Sequence, residues 1–350
     1  MKKMFTLMLC LVMACTLLLT GCGGGTETTA TLRIYNWGDY IDDQVLADFR
    51  AEHPEINVIY DMFDSNEAML AKLEGGAEYD ILFPSDYMIE KLIAEDMVQE
   101  LDLDRIEGLE NLSPSFMNMA FDPENKYSIP YMWGTVGILY NTTMVKEPVE
   151  SWDILWDEKY SGQIVMYDSV RDSMGVALKR MGESVNTTDT AKLEAAINSL
   201  KEQKPLVMAY MMDNAKSTMI NGGAAMAVVY SGDAIFCMGE NEELAYAVPK
   251  EGSNVWVDGI VITNSCQGEN LDAAYTFLSY LCEAEVAKAN SEYIGYATPN
   301  AAALELMDES VKNDAAYNPP QEVLERCEVY LDLGENEAIY ARYWEEFKAN

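Results

Sequence analysis

The chain has 350 residues, 49% of them hydrophobic, and a formal net charge of −36. Its length is about twice that of a common domain, which argues for two lobes. So acidic a field argues against nucleic acid and anionic membrane surfaces as partners and draws in cations.

Read from the N-terminus, Lys2 and Lys3 precede an uncharged apolar run from Phe5 to Leu19, which ends in Leu19-Thr20-Gly21-Cys22. A short basic region, an apolar segment too short for a comfortable span and small residues at its end predict a signal peptide over 1–21. The ending resembles the bacterial lipobox, which makes Cys22 the lipidated first residue of the mature chain. Residues 22–30, in which three glycines follow Cys22 and threonine is frequent, then read as a lipidated N-terminus and flexible tether. The expected location is extracytoplasmic, lipid-anchored to the cell membrane, at the cell surface or in a periplasm.

Strands and helices then alternate. Leu32 to Tyr35 predicts a strand, and Asp42 caps a helix with Val45, Leu46 and Phe49 on one face and Pro54 beyond its end. The only histidine, His53, falls at that helix end, where it favours the dipole. Its solitude disfavours Ser-His-Asp and Cys-His hydrolysis and His-rich zinc sites. Asn57 to Phe63 predicts a second strand, Asp64 with Glu67 a capping box for a helix ended by Gly75-Gly76, and Tyr79 to Phe83 a third strand. This is a βαβαβ start, the beginning of a parallel sheet.

Trp37, Asp39 and Tyr40 lie beyond the carboxyl end of the first strand, and Ser85, Asp86 and Tyr87 beyond that of the third. Open α/β sheets bind ligands at that edge. The pattern returns in Asp168-Ser169-Val170-Arg171-Asp172 after the strand Gln163 to Tyr167, and in Tyr230-Ser231-Gly232-Asp233 after Ala225 to Val229. Between Val255 and Thr263, Trp256 and Asp258 stand two apart and share one side of a strand. Trp133 to Ile138 and the strand through Asp258-Gly259 are candidate crossings between lobes. From Leu271 on, the chain is mostly helical. Cys237, Cys266, Cys282 and Cys327 are scattered without a Cys-x-x-Cys, so neither a zinc site nor a dense disulfide framework is expected, while one or two disulfides or buried thiols remain open.

Carboxylates give charge-assisted hydrogen bonds to ammonium groups, and aromatic faces add cation–π attraction of roughly 0.5–2 kcal/mol each. Trp37, Tyr40, Tyr87, Tyr230 and Trp256 are therefore candidate walls of an amine site. Asp39, Asp86, Asp168, Asp172, Asp233 and Asp258 are candidate charges, some of which must serve as caps or turn residues instead.

Tyr35-Asn36-Trp37, Phe83-Pro84-Ser85-Asp86-Tyr87 and Tyr127 to Gly134 resemble segments of the polyamine-binding proteins of spermidine/putrescine ABC transporters. So do Val248 to Gly252 with Trp256-Val257-Asp258, and Ile294 to Asn300, all in the same order from about Thr31 onward. The resemblance implies an α/β, two-lobed periplasmic-binding-protein fold of type II with a ligand cleft between the lobes. Lobe 1 is expected over 31–136 plus 259–304 and lobe 2 over 137–258 plus 305–350. By similarity Trp37 and Tyr40 line the cleft beside Ser85 and Tyr87, Asp172, Trp256 and Asp258 contact the ligand, and Tyr296 joins them.

Three departures stand out. Gly38 occupies a position where relatives often carry a hydroxyl, Tyr230 one where they often carry tryptophan, and Asp168-Ser169 one where they often carry two acids. A polar ligand near the C-terminus has no clear match, with Tyr330 or Glu328 as substitutes. The implied function is an extracellular lipoprotein that captures putrescine or spermidine by lobe closure and hands it to a membrane permease, with no catalysis, cofactor or metal. The competing readings are a secreted glycosidase with paired carboxylates and rings at Trp37 and Trp256, and a ferric-ion binder using Tyr40 and Tyr230.

Overall fold

The computed structural model describes residues 28–38, 40–212 and 214–349. The leader, Cys22 and Asp39 lie outside the described residues. The chain opens with β1 (Ala30–Trp37), β2 (Ile56–Phe63) and β3 (Ile81–Leu82), which pair in parallel in the order 2-1-3. Ala30, expected in the tether, and Trp37, expected beyond the strand, are the two ends of β1. Between β1 and β2 runs the helix Asp43–Glu52; its cap Asp42 accepts the Gln44 amide at 2.9 Å, and His53 closes it. The helix Asn66–Glu74 between β2 and β3 starts differently from expectation. Ser65, not Asp64, is its cap, because from that position its Oγ reaches the Ala68 amide at 3.1 Å.

The remaining strands are β4 (Ser128–Asn141), β5 (Ile164–Tyr167), β6 (Val207–Met211), β7 (Met226–Tyr230), β8 (Leu244–Ala247) and β9 (Val255–Ile262). All join one sheet of order 2-1-3-9-4-7-5-6, with β8 also on β4. β4 is the shared element. Its residues from Ser128 to Thr135 pair with β9, whereas from Val136 onward it pairs with β7 and β8. The candidate crossing Trp133 to Ile138 is thus where β4 changes partners, from one half-sheet to the other. The other candidate, through Asp258-Gly259, belongs to β9, which pairs with β4 and β3 in the first half-sheet. A register shift between Pro130 and Met132 falls at the proline that has no amide to donate.

Each half-sheet is buried on both faces, as parallel-rich sheets require. In β9, Trp256, Ile260 and Ile262 face a core with Leu32, Ile34, Phe49 and Phe277, while Val255, Val257 and Val261 face one with Tyr35, Leu82, Met69 and Met88. In the second half, Ile138, Ile164, Met166 and Val228 pack on Trp152 and Leu178, and Leu139, Val165 and Val229 on Met219 and Cys237. Cys237, Cys266, Cys282 and Cys327 are free thiols, the first three buried. Among the described residues no helix is long and apolar enough to cross a membrane.

Candidate functional site

The carboxyl ends of β1 and β3 converge on the middle of β9. Trp37 closes β1, and its Nε1 donates to the Phe83 carbonyl at 2.8 Å while its ring packs on Phe63 at 4.5 Å between centroids. Ser85 follows β3 and precedes the helix Asp86–Ala94, whose N-cap it is without a side-chain cap bond. Its hydroxyl bonds Asp258 instead, and the two residues also form a backbone bridge. A cavity of about 350 Å³ opens there, lined by Trp37, Gly38, Tyr40, Ser85, Asp86, Tyr87, Tyr230, Asn254, Trp256, Asp258, Tyr296 and Tyr330. Residues separated by more than 250 positions in sequence thus surround one space.

Its electrostatics are set by buried carboxylates. Asp258 accepts from the Tyr40 hydroxyl at 2.5 Å. Loss of hydration on burial outweighs that bond and the one from Ser85, and raises its carboxyl to about 6. Asp86, 1% exposed, accepts the amides of Tyr87 at 2.8 Å and Val257 at 3.4 Å. Burial, with the neighbouring Asp258 charge adding to it, still pushes its carboxyl well above the usual range. Asp172 is also raised by burial, against bonds from Ser169, Tyr230 at 3.0 Å and Tyr330 at 3.2 Å. Among the described residues none of the three is in an ion pair with a lysine or arginine; the Arg171 guanidinium stands over the Tyr330 ring at 4.4 Å and moderates Asp172 and Asp86 only by proximity.

The walls are aromatic. Trp256 packs edge-on against Tyr296 at 5.0 Å and Tyr230 at 6.1 Å, and Tyr296 against Tyr40 at 6.0 Å. Burial raises the phenols of Tyr40, Tyr230 and Tyr330. They donate to the carboxylates, Tyr40 to Asp258 and both Tyr230 and Tyr330 to Asp172. Among the described residues no cluster of His, Cys, Asp or Glu is arranged to hold a metal.

A second cavity of about 310 Å³ adjoins the first at Tyr87, Tyr230 and Tyr330, and its wall includes Ser169, Arg171, Asp172, Glu67 and Glu337. Tyr87 is anchored by donating to Glu67 at 2.9 Å and accepting from Asn66 at 3.0 Å. Ser169, a candidate ligand, caps the helix Val170–Arg180 by accepting the Asp172 amide at 3.4 Å.

Other candidates lie apart. Asp168 lines neither cavity and accepts from Lys348 at 2.5 Å. Asp233 pairs with Lys216 at 3.1 Å. Glu328 pairs with Lys179 at 2.7 Å, so of the two C-terminal candidates it is Tyr330 that faces the cavity. Sequence reasoning missed Asn254, which donates to the carbonyls of Val255 and Glu328, each at 3.2 Å, and lines the cavity. The signal was present: 254, 256 and 258 continue one period-two row. Glu67 and Arg171 were read only as helix and loop residues.

Residues 44–319 match the family model described as bacterial extracellular solute-binding protein. The chain is 36% identical over 323 residues to the spermidine/putrescine-binding periplasmic protein of Escherichia coli (strain K12), covering 91% of this chain and 92% of that one. It is 32% identical over 340 residues to the putrescine-binding periplasmic protein SpuD of Pseudomonas aeruginosa, with 91% and 92% covered. Among solved structures it is similar to the spermidine/putrescine ABC transporter substrate-binding protein PotD of Streptococcus pneumoniae, with TM-score 0.85, 43% identity, and 92% and 99% of the two chains covered. It is also similar to the TpPotD lipoprotein of Treponema pallidum, with TM-score 0.80, 26% identity, and 91% and 100% covered.

Proposed function

The chain belongs to the bacterial extracellular solute-binding protein family, and from that premise we propose that it captures a linear polyamine, putrescine or spermidine, and delivers it to the permease of an ABC transporter. The observation that carries this reading is the set of three buried carboxylates, Asp86, Asp172 and Asp258, none of them in an ion pair among the described residues, beside a ring-lined cavity. A buried carboxylate without a counter-charge is costly. A ligand with ammonium groups at both ends of a methylene chain supplies charge where the carboxylates lie and apolar surface where the rings lie.

The mechanism is lobe closure. Trp37, Tyr40, Ser85, Asp86, Tyr87, Trp256, Asp258 and Tyr296 belong to elements of the first half-sheet, and Asp172 and Tyr230 to those of the second. A ligand bridging the two sets favours the state in which they are close, and excluding water strengthens each ammonium–carboxylate contact. Tyr330, Ser169 and Gly38 complete the proposed contact set, Asp39 remains a candidate, and Asp168 is a weaker one given its pairing with Lys348. The ligand leaves unchanged, with no catalytic step and no cofactor. In the proposed lobe division, 31–136 plus 259–304 forms one lobe and 137–258 plus 305–350 the other; the pairing of β9 along its length supports moving the second crossing to before Val255. Cys22, lipidated after cleavage, tethers the protein to the membrane from outside.

Thermal denaturation with a ligand panel tests the reading. A ligand that binds only the folded chain at about a hundredfold its Kd stabilises by about 2.7 kcal/mol. Putrescine or spermidine is expected to raise the melting temperature by several degrees, with ferric iron, oligosaccharides and neutral amino acids inert. A shift with an oligosaccharide or iron and none with any polyamine contradicts it.

A further inference from the structure

Gly232 is the second residue of the helix Ser231–Glu240, directly after β7 in the second half-sheet. Tyr296 follows the helix Ala284–Ile294 and its C-cap Gly295, and packs on the core of the first. A Cβ added to Gly232 would lie 1.7 Å from both Cδ1 and Cε1 of Tyr296, so the phenol ring rests on a bare Cα. The same ring meets Trp256 at 5.0 Å and Tyr40 at 6.0 Å and lines the main cavity. Gly232 is not among the glycines with positive φ, so its backbone does not call for glycine. In the first turn of a helix alanine would suit the backbone better. What excludes a side chain at 232 is the ring.

We infer that Gly232 is a positioning residue for closure: the seat on which Tyr296, coming from the opposite lobe, completes the ligand cleft. The inference rests on the polyamine reading and its closure mechanism. Because the contact joins an element of each half-sheet beside the shared strand, where Ser231 accepts the Thr135 amide at 3.2 Å, a methyl group at 232 is expected to penalise the arrangement that brings them together more than one that parts them. The ring must then leave Trp256 and Tyr40, or the lobes must stay apart. In either case affinity falls although residue 232 does not line the cavity.

The test is a double-mutant cycle of Gly232→Ala and Tyr296→Ala, read by calorimetric titration with spermidine and by small-angle scattering. Gly232→Ala is expected to weaken binding about tenfold or more, to lose most of the ligand-induced compaction, and to keep its ligand-free melting temperature. In the Tyr296→Ala background the same change should cost less than about twofold, because the clashing ring is gone. Wild-type-like binding and compaction in Gly232→Ala, or penalties that multiply in the double variant, would overturn the inference. Should Gly232→Ala fail to fold, a folded double variant that matches Tyr296→Ala supports the seat, and an unfolded one overturns it. A wild-type chain that binds no polyamine sinks the functional reading. The seat is then decided by the crystal structure of Gly232→Ala: Tyr296 displaced from Trp256 supports it, and Tyr296 still packed at 5.0 Å overturns it.

Discussion

At the scale of single residues, Asp258 concentrates the conflict that the proposed ligand would resolve. It is buried, hydrogen-bonded to Tyr40 and Ser85, and its carboxyl is raised to about 6. Against an unfolded value of about 3.9, the folded chain holds this proton more tightly. Its charged form therefore disfavours the ligand-free fold above pH of about 6, and that penalty is relieved as pH falls toward 4. Polyamine affinity moves the other way, since an ammonium group needs the ionised carboxylate. Titrations between pH 7.5 and 5 should show weakening affinity alongside a smaller Asp258 penalty on the apo fold. Asp258→Asn should raise the ligand-free stability at pH 7.5 by about 1–3 kcal/mol, measured by chemical denaturation. A loss of stability in that variant would mean the carboxylate is satisfied without ligand.

At the scale of elements, the alternation of β1, β2 and β3 with their helices was legible because period-two and period-3.6 patterns, Asp42 and Gly75-Gly76 all agreed. Boundaries were less legible. Ser65 and Asp64 are both good caps, and only the position of the Ala68 amide distinguishes them. β3 spans just Ile81–Leu82 although Tyr79 to Phe83 is strand-like apart from Asp80, since pairing with β1 and β9 decides its length. In the site, the row of Trp256 and Asp258 was readable from strand periodicity alone, and the resemblance brought in Tyr296. The separation of Asp172 from Asp168 was not readable, because Lys348 pairs with Asp168 from the other end of the chain. Nor was the role of Gly232 as a platform, which depends on a ring 64 positions away. Ser85 and Ser169 are helix caps that also line the cavities, whereas Asp42 is a cap alone. Asp42→Ala should cost about 1 kcal/mol of stability in denaturant titrations while leaving polyamine affinity within about twofold, since Asp42 lines neither cavity. An affinity loss well beyond that would tie the first helix to the cleft.

At the scale of the molecule, one sheet passes through β4 from a first half that carries Trp37, Tyr40, Ser85 and Asp258 to a second that carries Asp172 and Tyr230. That continuity sets the two groups of acids and rings on either side of the shared strand β4, the arrangement that the proposed closure on a linear cation calls for. A net charge of −36 adds a long-range field that draws cations toward the protein. Under the proposed function the acid-and-ring cleft itself binds the polyamine. Calorimetric titration of the wild-type chain and Asp258→Asn with putrescine and spermidine at pH 7.5 tests it most directly. The account predicts micromolar or tighter binding of at least one of the two by the wild type, and a loss of about a hundredfold or more in Asp258→Asn. Undiminished binding in the variant, or no heat from either amine in the wild type, would contradict it.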